Sequence, residues 1–158
     1  MIRSSVERLR HLLFELRPPA LDREGLVPAL RAYMGDADPV PEIEDTMALE
    51  PPSELRAILF RIAQEAIGNA RKHASATTIH VSIAGHEGGI MLVVIDDGQG
   101  FDVGVIESPE PGHIGLPTMI ERARLAGGRC EIESEPGGGT SVTAWLPLAE
   151  PSLAGAGA

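Results

Sequence analysis

Residues 61–74, R-I-A-Q-E-A-I-G-N-A-R-K-H-A, constrain this chain more than any other stretch. Read as a helix advancing about 100° per residue, they bring Glu65, Asn69, Lys72 and His73 into one polar stripe at i, i+4, i+7 and i+8. Leu55, Leu59, Ile62, Ala63, Ala66 and Ala70 form an apolar stripe on the adjoining face. A plain surface helix sets its charges opposite its buried face. Here a carboxylate, an amide, an amine and an imidazole line the edge of that face, where the wall of a cleft would stand. Taken alone, the stripe reads equally well as a solvated face with one capping Asn. Gly68 within it costs about 1 kcal/mol relative to Ala, and either admits a close backbone or is simply tolerated.

Two glycine clusters downstream decide between these readings. D-D-G-Q-G-F at residues 96–101 directly follows the strand-like run I-M-L-V-V-I at residues 90–95. G-H-I-G-L at residues 112–116 opens a helical pattern. In this order the three stretches resemble the N, G1 and G2 boxes of the ATP-binding domain shared by histidine kinases, gyrase, Hsp90 and MutL. The ordered triple is specific where any single box is weak. L-R-P-P-A-L-D-R-E-G-L at residues 16–26 narrows the family. It resembles the junction between the dimerisation helices and the ATP-binding domain of NarL/DesK-type sensor histidine kinases.

The bulk properties agree. A chain of 158 residues is one domain's worth with a short appendage, and long enough for a real core. A net charge of −10 argues against a nucleic-acid surface, which needs clustered Lys and Arg, but not against a nucleotide held by a few local groups and a metal. With a single Trp and a single Tyr, the core must be mostly aliphatic. The lone Cys130 rules out an intrachain disulfide framework and reads as a buried strand residue in a reducing compartment. No apolar run approaches the roughly 20 residues of a membrane span, so the expected location is cytoplasmic, with any membrane anchor upstream.

In chain order, Ile2, Val6, Leu9, Leu13 and Leu16 follow the 4, 3, 4, 3 spacing of a coiled-coil seam, ending before Pro18. This seam reads either as the stub of a longer helical hairpin or as a terminal helix folded onto its own domain. A short helix is expected over residues 27–34, and an edge strand over 40–45 within an acidic, proline-bearing loop. The long helix spans 53–73, with Ser53 as its N-cap. Strands follow at 77–84 and 90–95, joined by a Glu87-Gly88-Gly89 turn. A helix at 116–126 closes on Gly127-Gly128, and strands at 129–134 and 141–146 flank a P-G-G-G-T turn. Residues 101–112 lack periodicity and read as a loop that becomes a lid over bound nucleotide. The divisions expected are 1–24 as the end of a dimerisation helix and linker, 25–148 as the ATP-binding catalytic domain, and 149–158 as a disordered tail.

Strands in succession with helices to cover one face predict an α/β two-layer sandwich, a mixed sheet of about five strands. The resemblance, covering nearly the whole chain, implies the same Bergerat ATP-binding fold, preceded by a short helical stub. Asp96 ends a buried strand, where an α/β sheet usually carries a ligand group. By resemblance it reads the adenine amine; the plainer alternative is a turn-capping Asp. Asp97 beside it is expected to face solvent. Gly98 and Gly100 allow a sharp turn close to the base. Asn69 has a hard oxygen suited to Mg²⁺, the role the resemblance gives it. Glu65, one turn earlier, is the expected general base or positioning group for the acceptor. Lys72 and His73 are expected to contact phosphate, His73 being alternatively a core-edge histidine. Gly112, Gly115 and Leu116 open a helix whose free N–H groups can face a triphosphate, and His113 between the glycines is expected either to touch phosphate or to face solvent. Thr140 either bonds near the adenine or serves only the hairpin turn.

The resemblance implies ATP and Mg²⁺ as ligands, and γ-phosphoryl transfer to a histidine on a dimerisation domain. It also implies a homodimeric full-length kinase, a downstream response regulator, and no nucleic acid. The family's phosphoacceptor motif, of L-H-D type, has no match in this sequence, and His11 is not assigned that role. The chain alone is therefore expected to be inactive in autophosphorylation. Two rivals remain: an anti-sigma-factor-type serine kinase of the same fold, and a non-catalytic nucleotide-binding regulatory module. The residue 16–26 junction counts against the first, and the joint presence of Glu65 and Asn69 against the second.

Overall fold

The computed structural model describes residues 18–106 and 115–148. Its elements in order are α1 (Pro19–Arg23), α2 (Leu26–Met34), β1 (Glu42–Thr46), α3 (Ser53–Lys72), β2 (Ile79–His86), β3 (Gly89–Asp96), a 3-10 turn (Val103–Ile106), α4 (Gly115–Leu125), β4 (Arg129–Ser134) and β5 (Thr140–Pro147). The amphipathic seam at residues 2–16, residues 107–112 of the expected lid, His113, and the 149–158 tail lie outside the described residues.

Alternation along β2 and β3 sets the sheet. Ile79, Val81 and Ile83 on β2, and Ile90, Leu92 and Val94 on β3, all turn to one face and are buried. The two-residue turn Glu87-Gly88 joins them, both residues having positive φ (47° and 74°), as a tight hairpin of native twist requires. β5 pairs antiparallel with β3 and with β4, while β1 adds to β2 in parallel, giving the order β1-β2-β3-β5-β4. This is the mixed five-stranded sheet expected, covered by helices on one face. On the opposite face the Trp145 indole donates to the His86 carbonyl (2.8 Å), with the Arg129 guanidinium 4.9 Å above its ring.

Helix α3 is the spine of the covering layer. Leu59, Phe60, Ile62, Ala63, Ala66, Ile67 and Ala70 are buried in the core it shares with the sheet, as its apolar stripe predicts. Each fully buried Leu, Ile or Phe contributes about 1.5–3 kcal/mol. Two arginines on α3 tie the other helices to it through backbone carbonyls. Arg56 donates to Leu21 (2.8 Å) and to Pro51, and also pairs with Glu50 (3.3 Å). Glu50 in turn accepts from the Leu26 N–H at the start of α2 (2.6 Å). Arg71 donates to Met34 and Ala37, closing the end of α2 (2.9 Å each).

Some details differ from expectation. Pro52, not Ser53, occupies the N-cap position of α3, and Ser53 is its first helical residue. Strand β2 starts at Ile79, because the Thr77 and Thr78 backbone N–H groups are bound by Asp97 (2.8 Å each). The junction motif contains a helical turn of its own, α1, whose Leu21 is fully buried in the same core. Gly68 meets only the Tyr33 hydroxyl at 3.8 Å where a Cβ would stand, so no backbone approach requires it.

Candidate functional site

The polar stripe of α3 does form a cleft wall. Glu65, Asn69, Lys72 and His73 line one cavity of about 220 Å³, together with Tyr33, Arg61, Gln64 and Gly68. Across it stands α4, presenting Gly115, Thr118, Met119 and Arg122. Those four recur at +3, +4 and +7, one helical face turned to the cavity. Glu65 and Asn69 are half-buried, and Lys72 and His73 are exposed at the end of the helix. Arg61, Gln64, Thr118 and Arg122 were missed in the sequence reading. The helical period continued back from Glu65 reaches Arg61, whereas Thr118 and Arg122 share a face with Gly115 that only the packing of α4 against α3 turns to the cavity.

Glu65 is held against α4 by the absence of a side chain there. A Cβ on Gly115 would fall on the Glu65 carboxylate, so glycine at this position lets the carboxylate lie against the opening of the helix. Cationic Arg61, Lys72 and Arg122 share the cavity with the single carboxylate of Glu65, in a chain whose net charge is −10. That local reversal of sign suits a polyphosphate. The oxygens on this wall, the Glu65 carboxylate and the Asn69 amide one turn apart, are hard donors. They fit a Mg²⁺ that keeps its waters and takes other ligands from phosphates. Among the described residues no three His, Cys, Asp or Glu side chains form a metal cage of their own.

Asp96 sits at the end of β3 and is 7% exposed, the one buried charged side chain among the described residues. Its carboxylate accepts from the Gly98 N–H (2.8 Å). Burial pushes its pKa up, backbone hydrogen bonds from Gly98 and Thr140 pull it down, the Asp97 charge pushes it up again, and the net shift is upward. Asp97 is exposed, as expected, and its carboxylate is held well below the usual range, at about 2, by the Thr77 hydroxyl and the Thr78 and Thr77 N–H groups. Thr140 pairs with Asp96 across the β3–β5 ladder, and its hydroxyl meets that of Ser134 at 2.9 Å.

The site residues fall around three neighbouring hollows. Asp96 and Thr140 border an open depression of about 400 Å³ with Ser134 and Gly139. Gly100 lines a smaller one of about 250 Å³ with His73, Ala74, Gln99 and Phe101, and His73 thus joins this hollow to the Glu65 cleft. Gly98 and Gly100 have a reason internal to the protein. A Cβ on Gly98 would collide with Ala74, and one on Gly100, where φ is +64°, with the Glu135 carbonyl. Gly98 lets the loop pack against the end of α3, where the Gln99 N–H donates to the Ala74 carbonyl (2.7 Å), and Gly100 lets it pack against the β4–β5 turn, where the Gly137 N–H donates to the Gln99 carbonyl (2.6 Å). Leu116 is not brought to the cleft: its side chain is buried in the core, so it serves the site by anchoring α4.

Comparison with known proteins bears on the family and the fold. Residues 54–150 match the family described as histidine kinase-, DNA gyrase B-, and HSP90-like ATPase. The chain is 41% identical over 150 residues to an uncharacterized sensor-like histidine kinase of Chloroflexus aurantiacus, covering 89% of this chain and 25% of that protein. It is 33% identical over 153 residues to the signal transduction histidine-protein kinase/phosphatase DegS of Brevibacillus brevis, covering 94% and 39% respectively. It therefore spans well under half the length of these relatives. Its fold is similar to the histidine kinase domain of the blue-light activated histidine kinase EL346 of Erythrobacter litoralis. That match has a TM-score of 0.58 at 20% identity, over 77% of this chain and 57% of the other. The ATP binding domain of PrrB from Mycobacterium tuberculosis matches with a TM-score of 0.51 at 26% identity, over 79% and 89%. The resemblance read from the three boxes and the junction is borne out, and the chain belongs to the histidine kinase-, DNA gyrase B- and HSP90-like ATPase family as an ATP-binding domain whose relatives are sensor histidine kinases.

Proposed function

We propose that this chain binds Mg²⁺-ATP and donates its γ-phosphoryl group to a histidine on the dimerisation domain of a two-component kinase, from which a response regulator is then served. The observation that carries this reading is the shared wall of Glu65, Asn69 and Lys72 facing Gly115. Asp96 accepts the adenine amine. Lys72 and His73, with the N–H groups that open α4, meet the phosphates. Asn69 would hold the metal, which supplies charge neutralisation at the phosphates when bound. Glu65 orients the acceptor imidazole or takes its proton, and phosphoryl transfer of this kind depends mainly on such positioning.

Calorimetry tests the reading. Mg²⁺-ATP is expected to bind the wild-type chain, and Asn69→Ala is expected to lose the Mg²⁺ dependence of that binding while retaining affinity for the base. An Asn69→Ala chain whose ATP affinity still responds to Mg²⁺ as in the wild type removes Asn69 as the ligand.

A further inference from the structure

The cleft extends beyond Glu65, away from Asp96 and the Gly98–Gly100 loop. Helix α4 runs antiparallel to α3: Gly115 abuts Glu65, while Arg122, Leu125 and Ala126 share an apolar groove with Ser53, Leu55 and Ile58 at the start of α3. Arg122 therefore sits at the far end of the cleft, about 10.5 Å along α4 from Gly115. Its neighbours Glu121 and Arg124 neutralise each other at 2.7 Å. Arg122 is half-buried, and its guanidinium makes no hydrogen bond or ion pair among the described residues.

Direction singles Arg122 out among the three cations of the cleft. Helical side chains lean toward the N-terminus of their own helix. On α4 that lean carries the Arg122 guanidinium back toward Thr118, Gly115 and the Glu65 carboxylate. On α3 it carries Arg61 away from Glu65, and it carries Lys72 back toward Glu65 from the side of the Gln99–Gly100 loop, so Arg122 is the cation that reaches the Glu65 carboxylate from the opposite wall. A terminal phosphoryl group beside Glu65 meets a like charge, which needs an opposing cation on the acceptor side of the cleft.

Building on the function proposed above, we propose that Arg122 is the specificity-determining residue that recognises the γ-phosphoryl group. It would distinguish ATP from ADP and offset the Glu65 charge during transfer. Its planar fork suits two phosphoryl oxygens at once, which an ammonium does not match.

The test is calorimetry on the 158-residue chain with Mg²⁺-ADP and with a non-hydrolysable β,γ-imido analogue of Mg²⁺-ATP. Arg122→Gln is expected to weaken the ATP analogue about tenfold or more while ADP affinity stays within about twofold. Arg122→Lys is expected to recover part of the loss, and it carries the comparison if the Gln variant does not fold. Equal weakening of both nucleotides would assign Arg122 a structural role and overturn the proposal. Unchanged binding of both, with reduced transfer to an added acceptor domain, would overturn it in favour of acceptor docking. A wild-type chain that binds neither nucleotide would overturn the function proposed above and this inference with it. A wild-type chain that binds both, with an unaltered Arg122→Gln ratio, would overturn this inference alone.

Discussion

Two adjacent aspartates show how far environment outweighs identity at the scale of one residue. Asp97 is exposed and bound by the N–H groups of Thr77 and Thr78 and by the Thr77 hydroxyl, so its ionised form is favoured. Asp96 is buried at the strand end, so its ionised form is disfavoured. For Asp96 the folded chain holds the proton more tightly than the unfolded chain does, and stability falls as the pH rises from the ordinary value of 3.8 through the raised one. A nucleotide that needs the carboxylate as acceptor responds in the opposite sense. ATP affinity of the wild type is expected to fall on acidification while the pH is still above the ordinary carboxylate range. Asp96→Asn is expected to weaken ATP about tenfold or more without gaining GTP, because a donor replaces one acceptor oxygen. Calorimetry across the mildly acidic range checks both, and a variant of wild-type affinity would remove Asp96 as the adenine reader. The burial of Asp96 was legible in the sequence, since it continues the inward alternation of Ile90, Leu92 and Val94. The clamp made by Asp97 was not, because its threonine partners lie about twenty residues earlier and local pattern does not reveal which loops meet.

Helices α3 and α4 make the cleft as a pair, and the contact that aligns them is Gly115 against the Glu65 carboxylate. Gly115→Ala is expected to separate folding from function. The displaced atoms end a flexible side chain, and Ala suits a helix better than Gly, so stability is expected to change by no more than about 1 kcal/mol. Glu65 must then rotate off its position, and transfer to an acceptor histidine is expected to fall about a hundredfold, the scale of a lost general base. Thermal melting and a phosphotransfer assay read the two effects separately; wild-type transfer would show that this position of Glu65 is irrelevant. The elements themselves were largely legible. All five strands were placed to within two residues, the first of the β2–β3 hairpin from period-two alternation and the second from its continuous apolar run, and the apolar stripe gave α3, because hydrophobic pattern and pairing agree there. Helix α1 escaped because five residues hold too little periodicity, and two prolines read first as a break. The far half of the cleft escaped for a different reason. Thr118 and Arg122 become site residues only once α4 is seen to lie antiparallel to α3, which no local spacing specifies.

For the whole molecule, the arrangement of the histidines bears on what this chain does unaided. His73 is fixed in the cleft wall, His80 faces Glu42 across the sheet edge at 3.3 Å, and His86 lies at the β2–β3 turn. His11 and His113 lie outside the described residues, and neither stands in an L-H-D-type motif. An acceptor must approach the γ-phosphate in line with the leaving oxygen, on an element that docks against the cleft and then departs. A residue built into the cleft wall or the sheet does not meet that requirement. Incubated with labelled Mg²⁺-ATP, the chain is therefore expected to acquire little or no acid-labile phosphate. Supplying a separate dimerisation domain with its own L-H-D-type histidine is expected to produce labelling on that partner, and Glu65→Ala to abolish it. The comparison of acid and alkali stability identifies the bond, since phosphohistidine is lost in acid and phosphoserine is retained. Robust phosphohistidine on the chain itself, mapped to His11, would overturn the separation of donor and acceptor. Acid-stable label on the serine of an added anti-sigma antagonist would instead assign the chain to the serine kinases of the same fold.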